Sequence, residues 1–186
     1  MRELGTMKGI VFDPKIAPLS FIDLEMSGLE GSKHEIVEVG LVKVSQPELE
    51  IIETWEAKVR PEHLENADPT ALKISGYNEK GWRDAISLKE MMSALASKIE
   101  GTILIGSNIS CDYAFLDAAV TKTGIALNFY RRVLDVNSFA YGKGYDIGAL
   151  GVSSLSKKLG IESVGRHTAL PDAMATYQIY KKLVLS

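Results

Sequence analysis

The strongest constraint on the fold is a change of period along the chain. Three runs with strand character come first, at residues 20–26, 35–45 and 48–59, the last ended by Arg60-Pro61. Gly28, Gly31 and Pro47 lie between them, so the three predict an antiparallel meander. Beyond Pro61 the spacing of apolar residues becomes helical. A short helix is expected over 69–74 and a longer one over 87–99, where Ser87 and Glu90 carry the signature of a capping box. Residues 102–105 read as a short buried strand, 111–123 as a helix stopped by Gly124, and 132–136 as a further strand. Two helices, over 153–159 and 168–184, end the chain. Antiparallel strands followed by alternating helices and strands imply an α/β domain, with a mixed central sheet and helices on its faces.

Composition narrows what this domain can be. A chain of 186 residues with 46% hydrophobic content and a net charge of −3 is too apolar and too weakly charged to be disordered. It is long enough for one core without staples, and Cys111 as the only cysteine excludes a disulfide framework. No apolar run suits a bilayer. Asp13, Pro14 and Lys15 break the one apolar stretch near the N-terminus, so no signal peptide is expected and the predicted location is cytoplasmic. Residues 1–19 read as an irregular segment broken by Gly5, Gly9, Pro14 and Pro18. With 21 Lys and Arg against 24 Asp and Glu, the charge balance argues at first against a polyanionic partner.

Four acids occupy positions that a core residue should hold. In Phe21-Ile22-Asp23-Leu24-Glu25-Met26 the strand period places Asp23 and Glu25 on one face, with Ile22, Leu24 and Met26 on the other. These two carboxylates repel unless a cation lies between them, or unless the strand is a solvated edge with its acids outward. Asp112 shares a helical face with Phe115, Leu116 and Ala119, and Asp172 shares one with Ala175, Thr176, Ile179 and Leu183. A favourable interaction with the helix dipole explains an acid in the first turn, but not one that faces inward. Buried carboxylates are paired or metal-bound, and neither face supplies a Lys or Arg. His167 stands five residues before Asp172, just ahead of Thr168 as the expected helix cap, with Pro171 tolerated in the first turn.

Taken in order, Asp23-x-Glu25, Asn108-x-x-x-Asp112 and His167-x-x-x-x-Asp172 resemble the motifs of the DEDD exonuclease superfamily in its histidine-bearing DEDDh branch, over about residues 21–180. Residues 21–29 are similar to the first motif of oligoribonucleases. Residues 35–40 are similar to the second strand of proofreading exonucleases, such as the epsilon subunit of DNA polymerase III. Residues 106–112 resemble the Gly-His-Asn…Phe-Asp segment, with Ser107 in place of the histidine and Cys111 in place of the aromatic. Leu134-Asp135-Val136 resembles a later strand end in which Asp135 is structural. The sister branch carries a tyrosine where this chain has Thr168.

The resemblance implies a ribonuclease H-like, five-stranded mixed sheet, with residues 20–186 as a single exonuclease domain. It also implies a 3′→5′ exonuclease that releases nucleoside 5′-monophosphates from single-stranded DNA or short RNA. Oxygen-only ligands suit two Mg²⁺ ions, with Mn²⁺ able to substitute. By the resemblance, Asp23 is shared by both ions, Glu25 and Asp172 serve the ion that holds the attacking water, Asp112 supports the second ion, and His167 is the general base. Met26, Leu29 and Asn108 are expected beside the terminal nucleotide. The partner is a single-stranded 3′ end, with no membrane. A homodimer, a proofreading role within a DNA polymerase, and a catalytically silent binding module of the same fold stay open. Setting the four acids aside leaves 20 acids against 21 bases, so the acidic balance no longer excludes nucleic acid.

Overall fold

Leu19, Phe21, Ile22 and Leu24 make one strand apolar on both faces, which suits the middle of a sheet. The computed structural model, which describes residues 13–162 and 168–185, places it there. The strands are β1 (Leu19–Met26), β2 (Ile36–Val44), β3 (Ile51–Lys58), β4 (Ile103–Gly106) and β5 (Tyr130–Asp135), and their order across the sheet is β3-β2-β1-β4-β5. β1 is antiparallel to β2 and β2 to β3, whereas β4 runs parallel to β1 and β5 parallel to β4. The helices are α1 (Pro69–Ile74), α2 (Leu88–Ile99), α3 (Ile109–Thr123), α4 (Val136–Gly142), α5 (Val152–Leu159) and α6 (Ala169–Leu185). This is the expected five-stranded mixed sheet flanked by helices.

The strand period divides the core into two layers. Ile22 and Leu24 pack with Met91, Met92 and Leu95 of α2 and with Phe115 and Leu116 of α3. Phe21 points the other way, and the rings of Tyr177 and Tyr180 on α6 meet it edge-on, each 5.4 Å away between centroids. α6 therefore lies along the β1 face that also carries Asp23 and Glu25. Gly40 sets how close it comes. Gly40 is the β2 partner of Asp23, and a Cβ built there would lie 2.2 Å from the carbonyl carbon of Ala169 and 2.3 Å from the Leu170 nitrogen. Only glycine permits this contact of helix backbone on strand backbone.

Several local expectations hold in detail. Ser87 and Glu90 form the full capping box of α2, and Gly124 closes α3 in the left-handed conformation. Three expectations need correction. β3 starts at Ile51 rather than at residue 48, because Leu49 adopts a positive φ of 56° in the turn. α3 starts at Ile109, two residues early. Val136 opens α4, a seven-residue helix that apolar periodicity did not reveal because it is too short to show one. Asp135 creates that helix start, accepting a hydrogen bond from Ser138 N–H at 2.8 Å. Among the described residues no helix is long and apolar enough to cross a membrane.

Replacing Gly40 with alanine is expected to cost about 1–3 kcal/mol, because backbone rather than a flexible side chain must give way. Urea unfolding will read that loss. The stabilisation that divalent cations confer on the melting temperature should fall with it, since α6 carries Asp172. An unchanged unfolding midpoint would show that α6 does not depend on this contact.

Candidate metal centre

β1 projects Asp23 and Glu25 towards α6 at the end where the sheet splits. Pairing with β4 runs only from Leu19 to Phe21, so the second half of β1 has a strand on one side alone. The Leu24 N–H falls in that gap, and Asp112 Oδ1 accepts it at 2.9 Å. This bond explains how an acid in the first turn of α3 can be only 5% exposed. Asp172 lies in the first turn of α6, where its own N–H donates to the Thr168 carbonyl at 3.1 Å. The carboxylates of Asp23, Glu25 and Asp172 converge, each offering an oxygen within 4.8 Å of the others. Asp112 is not part of that trio. The alternative of a solvated edge strand is overturned, because β1 is central and both of its acids are half-buried.

The structure treats the other expected site residues unequally. Met26 is half-buried against the α2–α3 layer. Leu29 is 85% exposed on the turn after β1. Asn108 is exposed immediately before α3 and holds a left-handed conformation with φ 59°, which asparagine adopts more readily than other non-glycine residues. His167 lies outside the described residues, as do residues 1–12 of the expected irregular segment.

Crowded carboxylates shape the electrostatics. Burial, followed by the charges of Asp112, Asp172 and Glu25, holds the Asp23 carboxyl well above its usual range. Glu25 is pushed up to about 7 by burial first, then by Asp172, Glu38 and Asp112. Asp112 is likewise raised to about 7 by burial, against the lowering effect of the Leu24 N–H. Among the described residues no Lys or Arg forms an ion pair with Asp23, Glu25 or Asp112. Convergent oxygen donors that repel one another fit a hard divalent cation.

Sequence reasoning missed Glu38. It is the β2 partner of Glu25 in register, is 4% exposed, and has a buried Oε2 with no hydrogen-bond partner among the described residues. Burial raises its carboxyl and the nearby Lys58 partly offsets that rise. The available signal was an acid inside the otherwise apolar run Ile36-Val37-Glu38-Val39.

Residues 20–180 match the family model described as the RNase T exonuclease. The chain belongs to this exonuclease family. The matched segment is an exonuclease domain, and its Asp23, Glu25 and Asp172 are grouped closely enough to hold a metal ion. Among solved structures, the nuclease domain of a 3′ exonuclease, a DEDDh family member bound to rAMP, has a TM-score of 0.74 and 22% identity, covering 93% of this chain and 94% of that one. E. coli Exonuclease I in complex with a dT13 oligonucleotide has a TM-score of 0.76 and 18% identity, covering 90% and 41%. Among curated relatives, a PolC-type DNA polymerase III from Caldanaerobacter subterraneus subsp. tengcongensis is 26% identical over 162 residues, and one from Thermotoga petrophila is 23% identical over 180 residues. The chain spans 11% and 13% of those two proteins' lengths.

The raised acids make stability depend on pH. Glu25 and Asp112 keep their protons to higher pH in the folded chain than in the unfolded one. Their stabilising contribution is complete below the ordinary carboxylate range and is lost as pH rises through about 7. Metal-free protein should therefore melt lower near pH 8 than near pH 6, and a divalent cation should raise the melting point more at the higher pH. Calorimetry in EDTA and in Mn²⁺ checks both; a metal-free midpoint that rises between these pH values contradicts the assignment.

Proposed function

We propose that residues 20–186 act as one exonuclease domain that removes nucleoside 5′-monophosphates singly from the 3′ end of single-stranded DNA or short RNA. The observation that carries this reading is the convergence of Asp23, Glu25 and Asp172 at the open end of β1, with Asp112 held beside them by the Leu24 N–H. Asp23, Glu25 and Asp172 would hold one Mg²⁺, and Asp23 with Asp112 a second, with Mn²⁺ able to replace either. When bound, such ions acidify water and neutralise charge on the attacking and leaving oxygens. His167 accepts the proton of the attacking water, a task suited to an imidazole. Met26, Leu29 and Asn108 contact the terminal nucleotide. Leu29 suits that role because it leaves most of an apolar side chain in solvent immediately after the Asp-x-Glu strand.

A second reading is favoured by the PolC-type relatives, in which the matched segment is a small part of a DNA polymerase. On that reading the substrate is DNA and the activity is proofreading within a polymerase. The first motif leans instead towards short RNA.

One assay separates these readings. Protein is incubated with 5′-labelled DNA and RNA of several lengths in Mg²⁺, Mn²⁺ or EDTA. A ladder shortening by single nucleotides from the 3′ end is expected, lost in EDTA and reduced about a thousandfold or more by Asp23→Ala. Internal cuts, or an unaffected Asp23→Ala variant, would sink the mechanism, and inactivity on every strand would favour a silent module. His167→Ala should lower kcat about 10²–10⁴-fold while the Mn²⁺-dependent rise in melting temperature persists. Equal kcat would remove His167 as the base.

A further inference from the structure

If Asp112 serves the leaving oxygen, the chain upstream of the scissile phosphate departs over the start of α3. α4 is tied to that place. Asp135 Oδ2 accepts the Ile109 N–H at 3.0 Å, and Asn137 exchanges hydrogen bonds with the Ser107 hydroxyl at 3.1 and 3.2 Å. Asn137 Oδ1 also accepts the Gly151 N–H at 3.1 Å, which fixes the side chain from a third direction. One helical turn further on the same face stands Tyr141, the i+4 neighbour of Asn137, about 5–6 Å away between Cβ atoms.

Tyr141 is 60% exposed, and the apolar face of α4 does not need it. Val136 and Ala140 fill the core, while Phe139 leans on Tyr180 with centroids 5.9 Å apart. An exposed aromatic with two rotatable bonds is a low-entropy platform for a nucleobase. Lys143, exposed at the end of α4, sets its Nζ 5.9 Å from the Phe139 ring centroid and leaves the Tyr141 ring to itself. The nearby acid, Asp146, is exposed and caps the following turn, accepting the Gly148 N–H at 2.9 Å.

We propose that Tyr141 stacks on a base upstream of the scissile phosphodiester, so that α4 holds the strand on the leaving-group side. This rests on the exonuclease reading given above. Such a contact is tolerant of sequence, because every base has a flat face.

The test compares an oligonucleotide with a substrate that has nothing upstream, the p-nitrophenyl ester of thymidine 5′-monophosphate. Tyr141→Ala should weaken binding of a fluorescent single strand in Ca²⁺ about tenfold and raise its KM in Mn²⁺ by a similar factor. Hydrolysis of the p-nitrophenyl ester should stay at the wild-type rate. Tyr141→Phe, which keeps the ring, should bind like wild type. Unchanged strand affinity in Tyr141→Ala overturns the proposal, as does a Phe variant as weak as Ala, or an equal loss on the p-nitrophenyl ester. Wild-type protein that neither binds strands nor hydrolyses either substrate defeats the exonuclease reading itself, and this inference with it.

Discussion

The backbone contact between α6 and Gly40 is the constraint on which the site depends. Helices usually stand off a sheet by the length of their side chains. Here the start of α6 rests on the strand itself, and its first turn carries Asp172 into reach of Asp23 and Glu25. Further along, Phe21, Tyr177 and Tyr180 hold the helix by aromatic packing, and the Tyr177 hydroxyl donates to the Leu49 carbonyl at 2.7 Å. The apolar part of the helix thus stabilises a terminus whose acid destabilises the metal-free fold.

The carboxylates are costly because the chain concentrates charge where solvent is scarce. Asp23, Glu25 and Asp112 are all raised by burial before any neighbouring charge is considered, and Glu38 adds a fourth raised acid to the same end of the sheet. Stability is given up locally for the affinity that a divalent cation then recovers. The surrounding layers can bear this cost because Ile22 and Leu24 bury the opposite face of the same strand against α2 and α3.

The split between β1 and β4 is the second organising feature. A parallel partner that ended later would have claimed the Leu24 N–H, leaving Asp112 without its donor. The short pairing opens space for the start of α3, and Asp135 and Asn137 then fasten α4 to the same place. Ser107, which departs from the usual histidine of the family segment, takes part in that fastening.

Periodicity alone was enough to read the meander, the mixed sheet and the long helices, since helices of 12, 15 and 17 residues repeat a buried face over several turns and the strands carry long apolar runs. It also identified Asp23, Glu25, Asp112 and Asp172 as misplaced acids, because local spacing reveals which face a side chain shares. It could not reveal α4, which has too few turns to express a period, nor Glu38, whose significance comes from its register opposite Glu25. Convergence was equally out of reach of the sequence. Asp23, Glu25 and Asp172, spread over 150 residues, converge only because Gly40 admits α6, and Asp112 joins their end of the sheet because β4 stops short of Leu24. Those are distances between backbones, which no single segment encodes and which only the packed sheet decides.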